Sequence, residues 1–267
     1  MSTKQLSIIL LDNSARERFH TLDWLAQQDV AREHYELIWM ECYDRVSSYV
    51  LDRVDQYYTM QQEGLHHKHA AVNAGIVAAK GRIVTMCDSD AVYPPDFVRS
   101  ILNAFEKERI VLMHWEERSR QTYPDGASLA LIQKHTFDVW PNVGACNSVL
   151  RRDAIGIGGV DEHESYKGIL AGQNEMLWRL INSGVPEVWC DTPHIYHFKH
   201  TGSDGDANAS ERHPASRDYE MHNATSVEAF KEGRLLPLVE NKDIHRLRME
   251  QRIIGTDLER KYAWYPH

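Results

Sequence analysis

The sequence predicts an α/β protein built on a doubly wound, mostly parallel sheet flanked by helices. Three observations carry that expectation. Short, almost uninterrupted apolar runs occur at Leu6–Leu11, Tyr35–Met40 and Arg82–Cys87. The segments between them show helical apolar spacing, and each run ends directly in acidic or polar residues: Asp12-Asn13, Glu41 and Asp88-Ser89-Asp90. Continuous apolar runs suit strands covered on both faces, and alternation of such strands with helices suits parallel pairing.

The elements follow in order. Leu6 to Leu11 reads as the first strand, and Phe19, Leu22, Trp24 and Leu25 mark a helix within Ala15–Gln28. A second strand runs from Tyr35 to Met40. His66–Lys80 is Ala-rich with Val72, Ile76 and Val77 at helical spacing, and Gly81 stops it. The strand Arg82–Cys87 follows, then a helix begun by Pro94-Pro95 with Phe97, Ile101, Leu102 and Phe105 on one face. Ile110–Met113 is the next strand. Beyond it, Pro124-Asp125-Gly126 is a turn, Ser128–Ile132 is strand-like, Asn174–Asn182 is helical and closed by Gly184, and Val185–Phe198 is extended. Residues 201–226 are rich in Gly, Asp, Asn and Ser and read as a polar loop or lid. The stretch 227–267 regains helical spacing and is expected to be a helical tail packed on the same domain.

Composition narrows the function. With 267 residues, 42% of them apolar, the chain can bury a large core. Thirty Lys and Arg against 39 Asp and Glu give a net charge of −9. Nucleic acid is therefore not an expected partner, because a phosphate backbone calls for a concentrated positive field. No run approaches the ~18 apolar residues of a membrane span, and the polar start does not read as a secretory signal. Cys42, Cys87, Cys146 and Cys190 lie far apart without C-x-x-C spacing and are expected to be reduced thiols of a cytoplasmic protein. Peripheral association with a membrane is compatible with this reading.

In open α/β sheets ligands bind outside the carboxyl ends of the strands. Asp88 and Asp90, two carboxylates at i and i+2 just past a buried strand, can face one crevice there and suit Mg2+ or Mn2+. The plain alternative is a turn or helix cap before Pro94-Pro95.

Context favours the first reading. Gly64, Asn73-Ala74-Gly75-Ile76, Gly81, Asp88-Ser89-Asp90 and Pro94 resemble, in order but with an extended gap from Gly64 to Asn73, the donor-side region of family 2 glycosyltransferases with the GT-A (Rossmann-like) fold. Gly144 to Asp153 with Ile157-Gly158-Gly159-Val160-Asp161-Glu162 resembles that family's acceptor-side segment, and Asn174-Glu175 with Arg179-Leu180 and Gly184 its following helix. The likeness covers roughly residues 6–200. It implies one GT-A domain over 1–200, with a nucleotide half at about 1–115 and an acceptor half at about 116–200.

The resemblance further implies a hexosyltransferase-type enzyme that moves a sugar from a UDP- or GDP-type nucleotide sugar to a saccharide, lipid-linked or small-molecule hydroxyl, with inversion. Asn13 and Glu41 would hold the nucleoside, with Lys68, Asn73, Asp88 and Ser89 on the donor. Asp90 and Asp88 would hold the metal, completed by His197 or His200 from the segment His194–His200. The family's catalytic Asp falls at Gln173, which cannot accept a proton. Glu175 is the nearest carboxylate and the expected general base, with Asp161 next; the plain reading of Glu175 is a first-turn helix residue. His66-His67-Lys68-His69 is expected in a solvated loop, with Lys68 able to reach phosphate. Two other readings stay open. A sugar nucleotidyltransferase would want glycines in Asp12–Arg16, where none stands, and a non-catalytic nucleotide- or carbohydrate-binding module is favoured by Gln173.

Overall fold

Asp12 and Glu41 sit side by side at the ends of two neighbouring parallel strands, β1 (Leu6–Asp12) and β2 (Tyr35–Glu41). The computed structural model describes residues 4–14, 18–106, 108–119, 121–136, 138–142, 144–162, 164–168, 174–198, 231–232 and 263–265. Between β1 and β2 lies α1 (His20–Leu25), followed by α2 (Ser48–Leu51), β3 (Gln56–Thr59), α3 (Lys68–Ala78) and β4 (Ile83–Asp88). Then come α4 (Phe97–Ala104), β5 (Val111–Ser119), α5 (Leu129–Gln133), β6 (Asp138–Trp140), β7 (Cys146–Leu150), α6 (Arg151–Gly156), α7 (Asn174–Asn182), β8 (Glu187–Phe198) and β9 (Ala263–Tyr265).

The sheet runs β6-β5-β7-β4-β1-β2-β3-β9, with β8 paired to β5. The stretch β4-β1-β2-β3 is parallel, β7 enters antiparallel between β4 and β5, and β8 lies parallel to β5. This is the α/β architecture the apolar runs imply. Alternation within β1 shows why those runs are continuous. Ile9 and Leu11 join Ile38, Met40, Val72 and Ile76 in one core, while Leu6, Ile8 and Leu10 join Leu37, Trp39, Phe97 and Ile101 in the other. Both faces are covered, so no position can be polar without a partner.

At the opposite, amino end of these strands a polar knot is buried. Ser7 donates to Glu36 (2.5 Å), Gln56 donates to the same carboxylate (3.0 Å), and the Gly81 N–H donates to Ser7 Oγ (2.8 Å).

Two expectations change. The segment Ser128–Ile132 is not a strand: Ser128 Oγ accepts from the Leu131 N–H and caps α5, a local bond that favours a helix start. Among the described residues of Ala15–Gln28 the α-helix is α1. His66 to His69 are not in a solvated loop but buried at the start of α3, where Asp161, Glu162 and Tyr166 meet His67 and His69. There the centre of the His69 ring lies 4.1 Å from that of Tyr166, the rings tilted by 32°, and its Nδ1 meets the Asp161 carbonyl at 2.6 Å.

The loop or lid expected at 201–226 lies outside the described residues, as does most of 227–267. Of that tail, Ala263–Tyr265 forms β9, antiparallel to β3. Among the described residues no helix is long and apolar enough to cross a membrane.

Candidate functional site

The carboxyl ends of β1, β2 and β4 and the start of α3 frame an open cleft of about 300 Å³, lined by Leu11, Asp12, Asn13, Cys42, His66, Lys68 and Asp88. This is where an open α/β sheet binds its ligand. Of the residues expected from sequence, Asn13, Lys68 and Asp88 line it. Lys68 Nζ, on the first turn of α3, lies 3.1 Å from Asp88 Oδ1.

Glu41 stands behind this wall, fully buried. Its Oε1 accepts from Ser14 Oγ (2.7 Å) and from the Tyr43 N–H (3.0 Å). Arg45 bridges it to Asp12: the guanidinium pairs with Asp12 Oδ2, and its Nε lies 3.7 Å from Glu41 Oε2. Burial and the neighbouring Asp12 charge push the Glu41 carboxyl up to about 7, against the pull of Ser14, Tyr43 and Arg45.

Asp90 is buried just past β4, and His197, near the end of β8, comes to it across the sheet. His197 Nε2 lies 3.7 Å from Asp90 Oδ2, while its Nδ1 faces Glu116 Oε1, also at 3.7 Å. Burial disfavours the charged ring, yet Glu116 and Asp90 carry its pKa above the ordinary histidine value. A carboxylate oxygen and an imidazole nitrogen at this separation fit a divalent cation of the Mg2+ or Mn2+ type. Among the described residues no group of three or more His, Cys, Asp or Glu is gathered to hold a metal alone. A two-group protein site, filled out by substrate phosphate and water, is the usual habit of Mg2+. His200, the second histidine candidate, lies outside the described residues.

Two residues expected on the donor side are engaged in internal hydrogen bonds. Asn73 is buried in α3 and uses its amide on the other half of the molecule: Nδ2 donates to the Val160 carbonyl (2.8 Å) and Glu162 Oε1 (2.7 Å), and Oδ1 accepts from the Val160 N–H (2.9 Å). It tethers α3 to the acceptor-side loop. Ser89, fully buried, donates to the Leu11 carbonyl (2.6 Å) and ties the end of β4 to β1.

The expected general base is engaged internally as well. Glu175 opens α7 buried at 4% exposure, with Oε2 accepting from Arg179 Nε (2.7 Å) and Oε1 accepting from the Asp161 N–H (2.6 Å) and Arg179 Nη2 (3.1 Å). Arg179 also donates to the carbonyls of Ile157 and Gly159. Both carboxylate oxygens are therefore engaged in holding α7 to the Gly159–Asp161 loop. Burial raises the Glu175 pKa, partly offset by Arg179. Asp161 is buried in the same web, and Gln173 lies outside the described residues.

Glu116 is the site residue that sequence reasoning missed. Within Trp115-Glu116-Glu117-Arg118 it looks like one of several surface charges, yet it is 1% exposed. Burial alone would raise its carboxyl, but His197 and Arg118 outweigh that and hold it below the usual carboxylate range.

Residues 50–156 match the family model "Glycosyl transferase family 2". No curated protein matches the sequence. Several solved structures share the fold at low identity. The Staphylococcus aureus TarS 1–349 structure in complex with UDP-GlcNAc aligns at TM-score 0.53 and 12% identity, covering 74% of this chain and 60% of that one. A second crystal structure of S. aureus TarS 1–349 gives 0.51 and 12%, covering 73% and 60%. The mannosyltransferase PcManGT of Pyrobaculum calidifontis, in complex with GDP-Man and Mn2+, gives 0.50 and 11%, covering 72% and 56%. The chain thus spans under two thirds of the length of these structures.

Proposed function

From the premise that the chain is glycosyltransferase family 2-like, with a GT-A-like α/β fold, we propose that it transfers a sugar from a nucleoside-diphosphate sugar to an acceptor hydroxyl, with a divalent cation and with inversion. The observation that carries the reading is the approach of His197 to Asp90, 3.7 Å apart beside a cleft that also holds Asp88 and Lys68. Sequence separates His197 from the other groups by more than a hundred residues, and a purely structural sheet end has no need to gather them. UDP-GlcNAc and GDP-Man, with Mn2+ in the latter case, are the ligands of structurally similar proteins and support this donor class.

In this mechanism Asn13 and Glu41 bind the nucleoside, with Arg45 moving off Glu41 to admit the base. Lys68 sets its ammonium against the diphosphate. Asp90 and His197, with Asp88 beside them, would hold the cation. When bound, the cation supplies Lewis-acid neutralisation of the departing diphosphate. For the acceptor's proton, Glu175 is spent on Arg179, so the carboxylates to consider are Asp161 and the half-buried Glu162.

The test is release of nucleoside diphosphate from UDP- and GDP-sugars, with and without Mn2+, followed by the Asp90→Ala and His197→Gln variants. The reading expects Mn2+-dependent turnover in the wild type and its loss in both variants at unchanged melting temperature. Release of pyrophosphate would instead mark a nucleotidyltransferase. Nucleotide binding without any turnover would mark a binding module.

A further inference from the structure

We propose that Glu116 is the positioning residue of His197: a buried carboxylate that holds Nδ1 and so aims Nε2 at Asp90. The inference rests on the metal reading above and adds to it a residue that no motif indicates. A carboxylate this deeply buried is costly unless it is bonded. Glu116 meets that demand on every side. Its Oε1 accepts from Arg118 Nε, its Oε2 accepts from Asn142 Nδ2 (2.8 Å), and Oε1 faces His197 Nδ1 at 3.7 Å.

The strand pairing explains how these groups meet. Glu116 lies opposite Ile195 and Arg118 opposite His197, so Glu116, Arg118 and His197 share one face of the β5·β8 pair. That register follows an irregularity. Between His114↔Cys190 and Glu116↔Ile195, β8 uses five steps where β5 uses two. The odd surplus flips the facing of every later residue in β8. Without it His197 would face the opposite side of the sheet. His194, which lies inside the irregular stretch, instead pairs with Glu117 (2.7 Å).

A carboxylate on the far nitrogen of a metal-binding histidine fixes the ring's orientation and tautomer and raises its basicity. Asn142 extends the arrangement. It precedes the acceptor-side strand β7, so the line Asn142–Glu116–His197–Asp90 joins the acceptor half to the cation side of the cleft. Arg118 and Asn142 keep Glu116 itself from turning away.

The experiment measures Mn2+ binding to the full-length chain by electron paramagnetic resonance, with UDP and in parallel with GDP present. Electron spin-echo modulation reads the imidazole nitrogen coupled to Mn2+. The wild type should show one such nitrogen, absent in His197→Gln. Glu116→Ala should weaken Mn2+ binding about 10–100-fold and reduce the nitrogen modulation. Glu116→Gln, whose amide oxygen can still accept from Nδ1–H, should recover most of both. If Glu116→Ala does not fold, Glu116→Asp, which keeps the charge but withdraws it from Nδ1, carries the same comparison. Wild-type affinity and modulation in Glu116→Ala, or in Glu116→Asp where it takes that variant's place, overturns the positioning role and leaves the metal reading standing. A wild-type complex without nitrogen coupling overturns both.

Discussion

Glu175 and Arg179 form an internal ion pair, one turn apart on α7, with contacts of 2.7 and 3.1 Å and about 5% side-chain exposure on each partner. Removing Arg179 would strand a buried carboxylate. Arg179→Ala should therefore cost about 3–5 kcal/mol of unfolding free energy, read by urea denaturation. Glu175→Gln should cost about 1–3 kcal/mol, because Arg179 keeps its carbonyl partners. Per folded molecule, its turnover should stay within about tenfold of wild type, well short of the ~10²–10⁴-fold loss that follows removal of a general base. A loss of that larger size at unchanged stability would return Glu175 to the chemistry.

The raised carboxyl of Glu41 gives a pH signature. A folded pKa of about 7 against an ordinary value of 4.5 means the folded state binds more protons between those limits. Stability is then lost as pH rises through that window and is level above it. Glu41→Gln cannot ionise, so the stability of the variant minus that of the wild type should grow from pH 4.5 to pH 7 by about 1–3 kcal/mol. Thermal or urea melts at half-unit pH steps measure it. A difference that is flat across the window would mean that Glu41 titrates as an ordinary carboxylate.

Two glycines test the packing beneath the cleft. A Cβ on Gly81 would sit 2.6 Å from the Leu6 carbonyl carbon and 2.7 Å from the Ser7 nitrogen, both backbone atoms of β1. A Cβ on Gly75 would meet Ile9 Cγ2 at 2.6 Å, a side-chain methyl that can shift. Gly75→Ala should cost about 1–3 kcal/mol. Gly81→Ala should cost more, since β1 cannot move without breaking the Ser7–Glu36 knot. Urea midpoints at constant slope rank the two, and the reverse order would place the tighter approach at Gly75.

These tests also mark where sequence was informative. β1, β2 and β4 were legible because burial on both faces demands unbroken apolar runs, and the acids that stop them are what the open end of the sheet requires. Ser128–Ile132 was not, since five apolar-rich residues fit either periodicity and only the Ser128 cap decides. The burial of His66–His69 depends on the Asp161 carbonyl and the Tyr166 ring, roughly ninety positions away. Glu175 carried its own signal, the i, i+4 spacing to Arg179 that ion pairs favour on a helix. Glu116 carried none, because His197 reaches it only through the β5–β8 pairing with its odd surplus of residues, and Asn142 only through the fold.

The register of the parallel strands has a kinetic consequence for the proposed donor. Asp12 lies opposite Glu41, Leu11 opposite Asp88, and Asp90 follows two residues on, so four acids rim one short stretch of sheet edge. Arg45 is drawn to Asp12 and Lys68 to Asp88. On the proposed mechanism, an incoming diphosphate would meet a field of its own sign until a divalent cation had been taken up. That favours an ordered sequence of addition, cation first and nucleotide second. In the absence of divalent ions, added monovalent salt would quicken capture of the nucleotide by screening the repulsion, the inverse of what a basic phosphate pocket shows.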